Sequence, residues 1–103
     1  MDKQLLQKIC ELKDQGEPLA LVTIVSTQGS TPRKAGAAML VEATGRIWGT
    51  IGGGCGEAEV RQQALLAMDE KRSSLYQVNL LNDMAAAEGM VCGGVMEVFI
   101  QVI

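Results

Sequence analysis

Glycine-flanked cysteines and one hydroxyl-rich turn are the places where this chain could do chemistry. Gly52-Gly53-Gly54-Cys55-Gly56 runs directly into a strong helix pattern over 57–71. Glycine permits positive φ and lets backbone N–H groups approach a ligand closely. At the start of a helix those groups also sit at the positive end of the dipole, which suits an anion. The alternative reading is that these glycines only make tight turns. Two named phosphate motifs fail outright. A P-loop needs Lys and then Ser or Thr after its last glycine, where Cys55-Gly56-Glu57 stands, and no glycine trio has the dinucleotide spacing.

The same helix dipole would lower the pKa of the Cys55 thiol and favour thiolate. Cys92-Gly93-Gly94 is a second glycine turn, feeding the last apolar run of the chain. Two thiols in two such turns suggest one shared site for a soft atom, either sulfur or a thiophilic metal. Cysteine is equally at home as a small buried apolar filler, and Cys10, inside a helical pattern beside its apolar stripe, reads that way. The chain has no histidine. That removes Ser-His-Asp and Cys-His pairs, and with three thiols a structural zinc site is not expected. A nucleophilic Cys55 would need Glu57 or a substrate group as its base. Three widely spaced cysteines without a CxxC pair point to free thiols in a reducing cytoplasm.

The third feature is Gln28-Gly29-Ser30-Thr31-Pro32-Arg33-Lys34. Ser30 and Thr31 can donate to phosphate oxygens, and Arg33 can grip one bidentately. A solvated turn is the competing reading. Over 28–56, Arg33, Lys34 and Arg46 face only Glu42, so the stretch is basic within a chain of net charge −3. That overall charge argues against broad nucleic-acid binding, and one Phe, one Trp and one Tyr make no stacking platform for bases.

The elements that must hold these residues follow from periodicity. The 103 residues, 48% apolar and 20% charged, are one domain's worth of globular chain. Leu5, Leu6, Ile9 and Leu12 recur at helical spacing, predicting an amphipathic helix over 3–15 ended by Gly16. The run 19–27 is apolar on both parities, as in a central strand covered on both faces. Short strands are expected over 38–43 and 46–51, a helix over 57–71, and strands over 75–80 and 95–102. Between 81 and 94 the composition is too rich in Gly and Ala to assign, beyond a helical turn at 83–88. The expected class is therefore α/β (α+β-type), with a single mixed β-sheet of about five strands and two main helices packed on it. No apolar run reaches the ~20 residues of a membrane helix, and charges near the start break any signal-peptide core.

The last run, Val95–Ile103, is apolar and must be interior to the sheet or paired with a second chain. Its expected neighbour is the 19–27 strand, and a homodimer is expected. If the two glycine turns share one end of the sheet, Cys55 and Cys92 should lie within about 10–12 Å (Cα to Cα), too wide for a relaxed disulfide.

GSTPR (29–33), GAAMLV (36–41), GRIWGTIGGGCGE (45–57) and GMVCGG (89–94) together closely resemble the N-terminal domain of the XdhC/CoxI family, accessory proteins of xanthine dehydrogenase and related molybdenum hydroxylases. The resemblance runs over nearly the whole chain. It implies a cofactor-binding chaperone rather than a turnover enzyme. Such a protein binds molybdenum cofactor (molybdopterin) transiently, protects, sulfurates or inserts it, and docks on the apo-enzyme. The positions that match are Gly29, Ser30, Thr31, Pro32 and Arg33, then Gly52, Gly53, Gly54, Cys55 and Glu57, then Cys92, Gly93 and Gly94. No separate metal site is implied. Longer family members add a Rossmann-like domain, which is absent from residues 1–103. A separate Rossmann-domain partner and a cysteine desulfurase are then the further partners. Two other functions stay open on the residues alone: a small cysteine-dependent enzyme or sulfur carrier using Cys55, and a phosphate- or nucleotide-binding regulatory module.

Overall fold

The computed structural model describes residues 2–31, 33–52, 56–80 and 93–103. Helix α1 (Lys3–Asp14) starts where the Asp2 carboxylate accepts the Gln4 N–H at 2.7 Å, and it ends before Gly16 at φ +74°. The strands are β1 (Leu19–Gln28), β2 (Ala38–Glu42), β3 (Ile47–Gly49), β4 (Ser74–Asn79) and β5 (Val95–Val102), with helix α2 (Glu57–Glu70) between β3 and β4. They form one sheet in the order β3-β2-β1-β5-β4.

Five strands and two helices stand as expected, but the sheet is antiparallel throughout rather than mixed. The reason lies in where the single helical crossover lands. α2 links β3 to β4, the two edge strands, so the parallel pair it creates is never adjacent. β5 is interior, between β1 and β4. Both its backbone edges are thus paired, and Met96, Val98 and Ile100 are buried in the core cluster that includes α2, so the run no longer calls for a second chain.

The first half of β1 is buried on both faces, as its sequence requires. Alternate residues point to opposite sides. Leu19 and Leu21 pack with Leu5 and Leu12 of α1 and with Leu40, whereas Ala20, Val22 and Ile24 pack with Val60, Ala64, Ala67 and Met68 of α2. The helices thus lie on opposite faces, giving three layers. Tyr76 ties α2 to β4 by donating its hydroxyl to Glu59, and this bond, burial and the Glu59 charge together raise the phenol's pKa. The tie is present at neutral pH and is lost as the pH rises through that raised value.

Past Ile24 the register shifts at a bulge, and β1 continues as far as Gln28 alongside β5 alone. The pairings put the end of β1, the start of β2, the ends of β3 and β4 and the start of β5 at one end of the sheet. α2 also starts there, shortly after β3. No described helix is long and apolar enough to cross a membrane.

Candidate functional site

Two of the three sequence motifs meet backbone to backbone at this end. Gly29 takes φ +75°, a conformation that disfavours a side chain, and a Cβ there would lie 3.2 Å from Gly94 Cα. The Gly93 N–H donates to the Ser30 carbonyl at 3.2 Å. A Cβ on Gly94 would fall 2.5 Å from the Gln28 carbonyl oxygen, 2.6 Å from that of Ser30 and 2.8 Å from Thr31 Cγ2. Within the loop, the Thr31 hydroxyl donates to the Arg33 carbonyl at 2.9 Å, which shapes the turn that presents Arg33. Ser30 and Arg33 are exposed.

The third motif is anchored at both ends. The Thr50 hydroxyl donates to Glu57 Oε2 at 2.8 Å, and its oxygen accepts the Gly52 N–H at 2.9 Å. Glu57, the first residue of α2, thus holds the base of the glycine loop in place. Gly56 sits at φ +81° as the N-cap of α2, its Cα facing Val78, Leu80 and Met96 of the sheet. Glu57 and Glu59 both lie in the first turn, so part of the positive field expected there is met by the helix's own carboxylates. Gly53, Gly54, Cys55 and Cys92 lie outside the described residues, and with them the expected Cys55–Cys92 separation and the 83–88 turn. Cys10 is exposed on α1 rather than packed in the core, because the helix buries Leu5 and Leu12 and turns Cys10 away from the sheet. Among the described residues no group of three His, Cys, Asp or Glu side chains could hold a metal ion.

The Thr50 bridge can be tested by substitution. Thr50→Val removes the donor to Glu57 and the acceptor for Gly52, and a part-buried polar group left unmatched costs about 1–3 kcal/mol. Urea unfolding should show that loss, while Glu57→Gln, which keeps an acceptor oxygen, should cost less. Wild-type stability in Thr50→Val would mean the bridge contributes nothing.

Beside the loops, on the α1 face, a cleft of about 610 Å³ is lined by Arg33, Lys8, Trp48 and Thr50, among others. Trp48 Nε1–H donates to the buried Glu42 carboxylate at 2.6 Å. Lys8 Nζ and Arg46 Cζ lie 4.4 Å and 4.2 Å from the centroid of the indole. Trp48 lies within the 45–57 string, but no motif along the chain brings out Lys8, forty positions earlier. The one local signal is the chain's single tryptophan standing just before Gly49.

The glycine turns thus gather at one end of a three-layer domain built on an antiparallel sheet, an architecture distinct from a barrel or a bundle. The sequence profile of the XdhC and CoxI family matches residues 12–79, and the chain belongs to that family. It is 42% identical over 98 residues to the uncharacterized protein YqeB of Escherichia coli, covering 95% of this chain and 18% of YqeB. It is 39% identical over 89 residues to a probable xanthine dehydrogenase subunit of Bacillus subtilis, covering 84% of this chain and 27% of that protein. With the molybdenum cofactor insertion chaperone PaoD of E. coli the identity is 36% over 70 residues, covering 68% and 22% of the two chains. The chain therefore spans less than a third of the length of these relatives. A crystal structure of a xanthine dehydrogenase from Bacillus halodurans shares the fold, with a TM-score of 0.72 at 23% identity over 94% of this chain and 30% of that one.

Proposed function

We infer that this chain acts as an accessory protein for a xanthine dehydrogenase-type molybdenum enzyme, carrying molybdenum cofactor at the loop end of the sheet. The observation that supports this most directly is the packing of Gly29 and Ser30 against Gly93 and Gly94, which unites two motifs separated by some sixty residues. The cargo has a phosphate, a hydrogen-bonding pterin and a dithiolene-bound metal. Its chemistry fits Arg33 as cation, Ser30 as a hydroxyl donor, and glycine turns that admit close approach to the backbone. Gly52, Gly53, Gly54, Cys55 and Cys92 complete the reading, with the thiols offered to sulfur or metal. Thr31 and Glu57 serve it by position, through their bonds to Arg33 and Thr50.

The partners in this reading are the apo-enzyme and, for sulfuration, a cysteine desulfurase, in the cytoplasm. The chain is a cofactor carrier in it and not a turnover enzyme. The test is to incubate the folded chain with molybdenum cofactor, separate it by gel filtration, and measure pterin and molybdenum under the protein peak. Comigration of both is expected. A protein peak free of both would remove the proposal.

A further inference from the structure

The cleft on the α1 face is only partly explained by the glycine motifs, which contribute Arg33 and the neighbouring Thr50. Its volume of about 610 Å³ is in the range that small organic ligands fill, ~300–1,000 Å³. Leu5, Ala37 and Ala38 give it apolar walls, and Gly36, where a Cβ would meet nothing within 4 Å, leaves it open on one side. Trp48 is a fixed wall because its ring nitrogen is tied to Glu42 and cations lie near its ring.

Charge in and around the cleft is unevenly matched. The Asp2 carboxylate already caps α1 through the Gln4 N–H. Glu42 accepts from Trp48, and Glu11 pairs with Lys8 Nζ at 2.9 Å. Each of these three carboxylates has a donor. Arg33 has no side-chain partner among the described residues, so its guanidinium is the free cationic donor lining the cleft. A free guanidinium beside apolar walls, with Lys8 shared between Glu11 and the cleft, suits an organic phosphate, since a guanidinium grips two phosphate oxygens at once.

We propose that this cleft binds a phosphate monoester carried on an apolar or planar body of about nucleotide size. Arg33 takes the phosphate with help from Lys8, and the body lies against Leu5, Ala38 and the edge of Trp48. The cleft shares Arg33 with the cofactor reading, but its ligand can be tested without cofactor. The phosphate can come from a free nucleotide or from the cofactor itself.

Trp48 is the only tryptophan, so its fluorescence reports on the cleft alone. Excited at the red edge of its absorption, it is titrated with AMP, adenosine and inorganic phosphate. AMP should give a saturable change that adenosine does not. Inorganic phosphate, which lacks a body, should bind more weakly than AMP. Arg33→Gln should weaken AMP binding about 10–100-fold, as the loss of a charge-assisted pair does, with unchanged circular dichroism. Lys8→Gln should weaken it by a smaller factor, because Glu11 already shares that charge, and Lys13→Gln on the outer turn of α1 should not change it. No saturable response to AMP, an equal response to adenosine, or wild-type affinity in Arg33→Gln would overturn the proposal. A last arm repeats the cofactor gel filtration with AMP-saturated protein. Lost comigration assigns the cleft to the cofactor's phosphate, and undiminished comigration assigns it to a separate nucleotide; both outcomes uphold the cleft as a phosphate site. Because the AMP titration needs no cofactor, its failure and that of the carrier function are read separately.

Discussion

Gly94→Ala should lower the thermal midpoint by about 10–20 °C and abolish cofactor comigration together. The added methyl would sit 2.5 Å and 2.6 Å from two carbonyl oxygens, those of Gln28 and Ser30, and 2.8 Å from Thr31 Cγ2. Carbonyls belonging to a strand end and its turn cannot rotate away as a flexible side chain does, so the two segments must separate. Forced overpacking of this kind costs ~1–3 kcal/mol and sometimes more. In a domain of this size each kcal/mol moves the midpoint by about 4–8 °C. The separation also breaks the Gly93 N–H to Ser30 bond, so the loop that presents Arg33 loses its support. A melting scan by circular dichroism and the gel-filtration assay check the two halves of the expectation. A midpoint within a degree or two of wild type would mean that the two turns are not in contact.

The second large effect is expected at Gly56. Its φ of +81° costs a side chain roughly 1–2 kcal/mol, and the new Cβ would lie 2.7 Å from Val78 Cγ1 and 3.1 Å from Leu80 Cδ2. Both residues are buried, at 0% and 2% exposure, so neither has room to yield. Gly56→Ala should therefore destabilise by about 2–5 kcal/mol in urea unfolding, the sum of strain and clash. The comparison is Gly36→Ala, also at positive φ but with nothing within 4 Å, which should show the strain alone. Adding Val78→Ala to Gly56→Ala should cost less than the two single effects summed, since it removes the clashing methyl. Strict additivity would place α2's start elsewhere than over Val78.

Much of the fold is legible along the chain because its elements are long and strongly patterned. The 3–15 and 57–71 helices and the 19–27 strand appear within a residue or so of their expected bounds, as Lys3–Asp14, Glu57–Glu70 and Leu19–Gln28. The short strands are trimmed: 46–51 shrinks to Ile47–Gly49, because Gly49 turns to φ +81° and ends the pairing. The interior place of β5 beside β1 is also legible, since an apolar run of that length has few other homes. The candidate site is less so. The motif offers Glu57 to a ligand, yet its carboxylate holds Thr50. Helical spacing sets Cys10 beside the apolar stripe, yet it is exposed.

What the amino-acid sequence determined by itself are the properties set within a few residues. These are which segments are helix or strand, where glycine is needed for positive φ, the local basic stretch, and the motif residues that mark the family. What only the tertiary structure decided are properties set between distant segments. The crossover helix joins the two sheet edges and so makes every neighbour antiparallel. The bulge after Ile24 marks where β1 passes beyond β2 to run beside β5 alone, and its end brings Ser30 to Gly93. α1 covers one face and so sets Lys8 beside Trp48, forty positions away. The physical reason is the same in each case. Backbone propensity and periodicity act over one or two turns of chain. Which side chains share a cleft depends instead on the order in which strands pair and the face each helix covers.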